Sequence, residues 1–345
     1  MNSIETILIV CFRYFASQKE EEIMTILNKR WIVIFAMISV LFISCEDADD
    51  NDNIIPGINS ILNQTENNTE LSLLNAAFIR TGLNDTFNTG RNYTFFAPNN
   101  TAFNNYLSTN GYIDIDDVPL VELRAMLLYH ALNTEVVTTS LSNGYLKTLG
   151  KDDELESLDL FIEASSPVVL NGGSTIIDEN IEADNGIVHI IDTVLELPSI
   201  ATLIAANPEF DNLENALMNT GLNNNLSNLD PLQNPFTVFA PNNDAFTALV
   251  NTDAMDGLND VADILALPNL NDILLYHLVG NDRIRSGDIN NGFSITPLLG
   301  SPYTIDTTTG VQFTDGSGTT VSITSTDVTA LNGIIHTIDI VARPM

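Results

Sequence analysis

Basic residues and cysteines are what this chain has least of. Its 345 residues carry 12 Lys and Arg against 45 Asp and Glu, a formal charge of −33. A surface this acidic repels phosphate backbones, which excludes nucleic acid as a partner. The two cysteines, Cys11 and Cys45, both precede the first expected domain. The folded part therefore has no disulfide, no thiolate metal site and no thiol nucleophile. Histidine is scarce too, at four residues, and no His-Glu-x-x-His occurs: Ala131, Ile190, Leu278 and Thr337 follow them. The one Gly-Lys, Gly150-Lys151, has Tyr145 where a P-loop needs its first Gly, and no Gly-x-Ser-x-Gly elbow exists. Neither a metal nor a cofactor is expected, and no catalytic group stands out.

Long apolar runs are missing as well, except Trp31 to Ile43, which follows Lys29 and Arg30. It falls short of the roughly 20 residues a spanning helix needs. A basic start, a short apolar stretch and a small residue at the cut describe a secretory signal over residues 24–44. Residues 1–23 are not needed for it and read as a mis-assigned start. Leu41-Phe42-Ile43-Ser44-Cys45 resembles a bacterial lipobox, which implies a lipid on Cys45 and a membrane partner through that anchor. Residues 45–53, rich in Asp and Glu, cannot bury themselves and read as a flexible tether. The acidic run is similar to that of Bacteroidetes-type lipoproteins. The expectation is an outer-membrane lipoprotein of the cell envelope, exposed at the surface.

What the chain does have is a repeat. Tyr93-Thr94-Phe95-Phe96-Ala97-Pro98-Asn99-Asn100 returns as Phe236-Thr237-Val238-Phe239-Ala240-Pro241-Asn242-Asn243. Leu127-Leu128-Tyr129-His130 returns as Leu274-Leu275-Tyr276-His277, and Asn185-Gly186-Ile187-Val188-His189 as Asn332-Gly333-Ile334-Ile335-His336. His130 lies 59 residues before His189, as His277 does before His336; the earlier gap grows from 32 to 36 residues. That difference places a four-residue insertion between Asn251 and Asn269, as a surface loop.

Each block has a local logic. The first is a β-branched and aromatic strand stopped by Pro98 or Pro241, followed by Asn residues suited to cap a helix. In the second, Leu123, Leu127 and His130 share a helical face, as do Leu270, Leu274 and His277. In the third, an Asn-Gly turn opens a strand with Ile187, His189 and Ile191 on one side and Val188, Ile190 and Asp192 on the other. Leu62, Leu71, Leu74 and Phe78 mark an opening helical stripe, matched by Leu213, Leu217 and Met218. Later runs such as 158–162 and 311–313 read as hairpin strands. Helices first and strands later indicate an α+β arrangement.

The ordered triple closely resembles the fasciclin-like domain. The resemblance implies two tandem modules, each a β-sandwich or wedge with several packed helices, at 54–198 and 199–345. A very short linker, 198–201, would make the pair semi-rigid. It also implies adhesion or ligand binding without catalysis, toward an extracellular protein or glycan. The alternative is a glycan-binding or hydrolytic component of a polysaccharide-uptake system. In animal members the Tyr-His pair lies within segments proposed to contact integrins, which nominates Tyr129, His130, Tyr276 and His277 as binding residues. Their apolar helical setting points instead to burial. Pro98, His189, Asp192, Pro241, His336 and Asp339 are read as structural; the alternative is a metal-binding or acid–base His pair within each domain, with Asp192 or Asp339 orienting a ring.

Overall fold

Residues 59–345, apart from 89, 91, 230–234 and 253–256, are described by a computed structural model. Cys45, the leader and the acidic tether lie outside the described residues. In the first module, α1 (Ile61–Asn67) starts at Ser60, whose hydroxyl accepts from the Asn63 N–H. Next, α2 (Ser72–Thr81) ends at Gly82 in the left-handed conformation, and α3 (Asn84–Phe87) follows. Strand β1 (Tyr93–Pro98) runs straight into α4 (Asn100–Thr109), capped by Asn99 as its sequence suggests, and α5 (Leu120–Tyr129) completes the helices. The strands then follow: β2 (Ala131–Leu132), β3 (Gly144–Lys151), β4 (Ser157–Glu163), β5 (Val169–Leu170), β6 (Ser174–Ala183) and β7 (Gly186–Ile191).

These strands form one sheet in the order β2-β1-β7-β6-β5-β4-β3, parallel only between β1 and β7. Register shifts bend β6 twice against β7. The bent sheet folds over, so the two-residue alternation of β1 and β7 feeds two cores. Phe95, Ala97, Val188 and Ile190 meet the helices; Phe96 and Ile191 meet Leu158, Leu160 and Ile162 of β4. Under the helices, Phe78, Phe87 and Phe95 pack at 5.1–5.3 Å between ring centres, all fully buried. Truncating one of them to Ala would cost about 3–5 kcal/mol.

The second module repeats the plan. Its helices are α6 (Ile200–Ala206), α7 (Asp211–Thr220), α8 (Asn223–Ser227), α9 (Asn243–Thr252), α10 (Val261–Leu265) and α11 (Leu270–His277). Its strands are β8 (Phe236–Pro241), β9 (Leu278–Gly280), β10 (Ser294–Ile295), β11 (Tyr303–Asp306), β12 (Gln312–Thr314), β13 (Thr320–Ala330) and β14 (Gly333–Ile338). The order β9-β8-β14-β13-β12-β11-β10 matches the first sheet strand for strand. Two sequence expectations need correction. Met218 is 55% exposed, and Ala216 fills the core beside Leu213 and Leu217 instead. The region of the insertion is not all loop: it contains α10, which buries Ile264.

Candidate functional site

The repeated blocks converge, but on the backbone. His130 closes α5, and its Nδ1 lies 2.8 Å from the Met126 carbonyl while its Nε2 accepts the Leu195 N–H at 2.9 Å. The amide can only donate, so Nε2 carries the lone pair and Nδ1 carries the proton. His277 repeats this with Ile273 O at 2.7 Å and Ala342 N–H at 3.0 Å. The strand histidines are wired in the opposite sense. His189 takes the Asn180 N–H on Nδ1 and gives Nε2–H to Val136 O; His336 does so with Asp327 and Ile284. All four rings are buried and neutral. Burial pushes His130 and His277 down to about 4 and lowers His189 and His336 as well.

Tyr129 and Tyr276 are buried beside them. The Tyr129 hydroxyl donates to Asp159 O at 2.7 Å and accepts from Asn171. A partner cannot touch Tyr129, His130, Tyr276 or His277 in the folded protein, because the helix face that carries them is the one packed on the sheet. Asp192 does not orient a histidine. Its carboxylate accepts the Thr175 N–H at 2.8 Å while its own N–H donates to Thr175 O, which clasps β7 to β6. Asp339 makes the same clasp on Ser322. Pro98 and Pro241 end strands that pair with Ile191 and Ile338.

The Asn-Gly pair is more than a turn. Asn185 accepts the Ile61 N–H and donates to Phe87 O; Asn332 accepts the Ile200 N–H and donates to Leu226 O. Each therefore ties the first helix of its module to the sheet. Gly186 has φ +142, and a Cβ there would sit 1.9 Å from Tyr93 O. Only glycine fits, and the same holds for Gly333 against Phe236 O. Among the described residues, no group of three or more His, Cys, Asp or Glu is placed to hold a metal ion.

The charged chemistry gathers between the modules. Asp159, 4% exposed at its side chain, receives Lys147 Nζ at 2.6 Å from its own module and the Thr329 N–H at 2.6 Å from the other. Lys147 also donates to Asp327 O and Thr329 Oγ1. Burial raises the Asp159 carboxyl, against the pull of Lys147 and the Thr329 amide. Beside this, Arg283 meets Asp153 at 2.6 Å, and Arg285 meets Asp152 at 3.0 Å and Glu154 at 2.7 Å. Tyr145 gives its hydroxyl proton to Leu203 O in α6, and Leu331 packs into the core beneath β4. This seam was not foreseen from the sequence. Its signal was available: only eight Lys and Arg follow residue 53, and Arg283 and Arg285 stand two apart.

The concavities of the described surface include two of note. One, of about 670 Å³, is lined by Asn92, Asn133, Thr134 and Glu135; the other, of about 360 Å³, includes Thr304, Asp306, Gln312, Thr314 and Thr320. Both are polar, and every aromatic ring among the described residues is buried or half-buried.

Two bent sheets of one topology, each closed by the same backbone-bound histidines, define a protein built from two copies of one α+β module. The chain matches the Fasciclin domain over residues 69–198 and again over 208–344, and it belongs to that family. It is 29% identical over 259 residues to human (Homo sapiens) periostin, which covers 73% of this chain and 28% of periostin. It is 28% identical over 296 residues to transforming growth factor-beta-induced protein ig-h3 of Sus scrofa, covering 84% of this chain and 39% of that protein. The chain thus spans well under half of either relative. A solved FAS1 domain pair from the insect cell adhesion molecule fasciclin I covers 80% of this chain and 97% of its own, at 19% identity and a TM-score of 0.48.

Proposed function

We propose that this chain is a lipid-anchored, extracytoplasmic adhesion or binding protein that acts through its fasciclin pair without catalysis. The observation that carries the reading is the state of the polar groups that recur in the repeat. All four histidines hold backbone groups with both ring nitrogens, so none is free to take a proton from a substrate. Membership of the family supports binding as the role. The basic and apolar leader, Cys45 and the acidic run after it support export, a lipid anchor and display at the surface of an outer membrane.

The anchor and the role separate experimentally. Cys45→Ser should release the protein from membranes and abolish palmitate labelling; persistence of the label would overturn the anchor. Deleting residues 54–345 while keeping the leader should abolish attachment of cells to a protein-coated surface. Unchanged attachment would overturn adhesion.

A further inference from the structure

The connection between α4 and α5 in the first module displays apolar side chains. Ile113 is 90% exposed, Val121 82% and Leu120 50%, and Ile79 on the adjoining turn of α2 is 60% exposed. Single exposed aliphatics are ordinary, but a held group of them marks a contact surface. These are held. Arg80 donates to the carbonyls of Ile115 at 2.7 Å and Asp116 at 2.8 Å, and Arg124 donates to Thr81 O at 2.7 Å. The Ile113 N–H donates to Asp117, and the Tyr112 hydroxyl reaches the Glu122 carboxylate at 3.4 Å. Together these bonds bring α2, the connection and the first turn of α5 side by side.

Among its described residues the second module covers the apolar side chains of the same connection, although Met218, at the place of Ile79, is 55% exposed. There α10 buries Ile264, and Leu258, Val261, Leu265 and Leu267 pack half-buried against the core. The fold can therefore cover apolar residues of this connection, and the first module leaves Ile113, Leu120 and Val121 open. Around them stand exposed Asp114, Asp116, Asp117 and Glu122. Arg80 and Arg124 give guanidinium N–H groups to main-chain carbonyls, and Arg80 also pairs with Asp116 at 3.3 Å.

We propose that Ile113, Leu120 and Val121, with Ile79 beside them, form a docking surface for a cationic amphipathic segment of a partner protein. The partner presents apolar side chains flanked by Lys and Arg. Charge complementarity selects it. A second copy brings the same −33 and the same acidic rim, and an anionic membrane is repelled in the same way. The proposal rests on the adhesion reading and names the chemistry of its partner.

The probe is an 18-residue helical peptide of Leu and Lys, titrated against the full chain by fluorescence anisotropy. Ile113→Ser with Val121→Ser should weaken it tenfold or more while the thermal midpoint stays unchanged. Met218→Ser, a comparably exposed site on the second module, should leave affinity as it was. An 18-residue polylysine, which senses charge alone, should bind wild type and double variant equally. Unchanged Leu/Lys peptide affinity in the double variant would overturn the proposal. So would phosphatidylcholine vesicles that bind wild type and lose that binding in the variant, since the occupant would then be lipid. If deleting 54–345 abolishes attachment while the double variant keeps both attachment and peptide affinity, the patch is wrong and the adhesion reading stands.

Discussion

The outer face of β3 and β4 in the first module and the same face of β10 and β11 in the second share a backbone and differ in chemistry. Aligning the sheets on Ile162–Leu170 and Ile305–Phe313 sets Ser294 where Tyr145 stands, Thr296 for Lys147, Pro302 for Asp159 and Thr304 for Phe161. On the first module Asp159 and Phe161 are buried under the second; Pro302 and Thr304 are exposed and line the smaller concavity. The other half of the seam behaves alike. Arg283 and Ile284 correspond to Glu135 and Val136, because Ile284 and Val136 receive equivalent histidines. Glu135 lines the larger concavity. Both open concavities are therefore unfilled halves of the seam, stripped of the charges that close it. The lesson is that the histidine staples specify a module, whereas the buried carboxylate specifies which faces join.

Acid tests what the two copies share, and it carries the largest expected effect. Unfolded histidines titrate near 6.5, while His130 and His277 in the fold are pushed down to about 4. Between those values the unfolded chain binds more protons, so stability falls as the pH falls. The contribution is full above about 6.5 and gone near 4. At about 1.4 kcal/mol per pH unit it amounts to on the order of 3 kcal/mol for each of these histidines. Asp159, raised by burial, works in the opposite sense over its own range. Urea midpoints measured from pH 7 to 4.5 should drop steeply and together for both modules; a flat profile would refute neutral, buried histidines.

The seam tests what they do not share. Asp159→Ala leaves the buried Thr329 amide without its acceptor and takes from Lys147, which keeps Asp327 O and Thr329 Oγ1, its charged partner, for a cost of about 2–3 kcal/mol. Pro302→Ala, at the corresponding open position, should stay within about 0.5 kcal/mol. Urea unfolding of both variants measures the contrast. Equal effects would mean the seam contributes no more than its open counterpart.

The fold was largely legible in the sequence because its signals are local and occur twice. Pro98 stops a strand and Asn99 caps the next helix within four residues, so reading along the chain suffices. Even the two-core arrangement is latent in the alternation of Phe95 and Phe96. The seam was not legible in this way. Asp159 and Thr329 lie 170 residues apart, and among 45 carboxylates nothing marks the one that will be buried. Met218 misled because the 3.6-residue stripe does not say where a core ends. Tyr129 and His130, which the resemblance nominated for contact, lie in the interior as their apolar helical setting indicated, because a repeated motif records what the scaffold needs.

Smaller effects should follow the periphery of the seam. Arg285→Ala removes charged bonds to Glu154 and to the buried Asp152, for a loss of about 2 kcal/mol that shrinks in high salt. Tyr145→Phe is gentler still. Its hydroxyl donates to Leu203 O at 2.8 Å and accepts from Asn207 at 3.3 Å, and the ring itself stays against Phe161. Removing one oxygen therefore costs about 1 kcal/mol and leaves the apolar contact in place. Ser294→Ala, its counterpart on the open face, should cost nothing measurable. The measurement that separates them is hydrogen exchange of the α6 amides, which should quicken in Tyr145→Phe alone. Equal exchange in both variants would mean that α6 is held by its own module and owes the seam nothing.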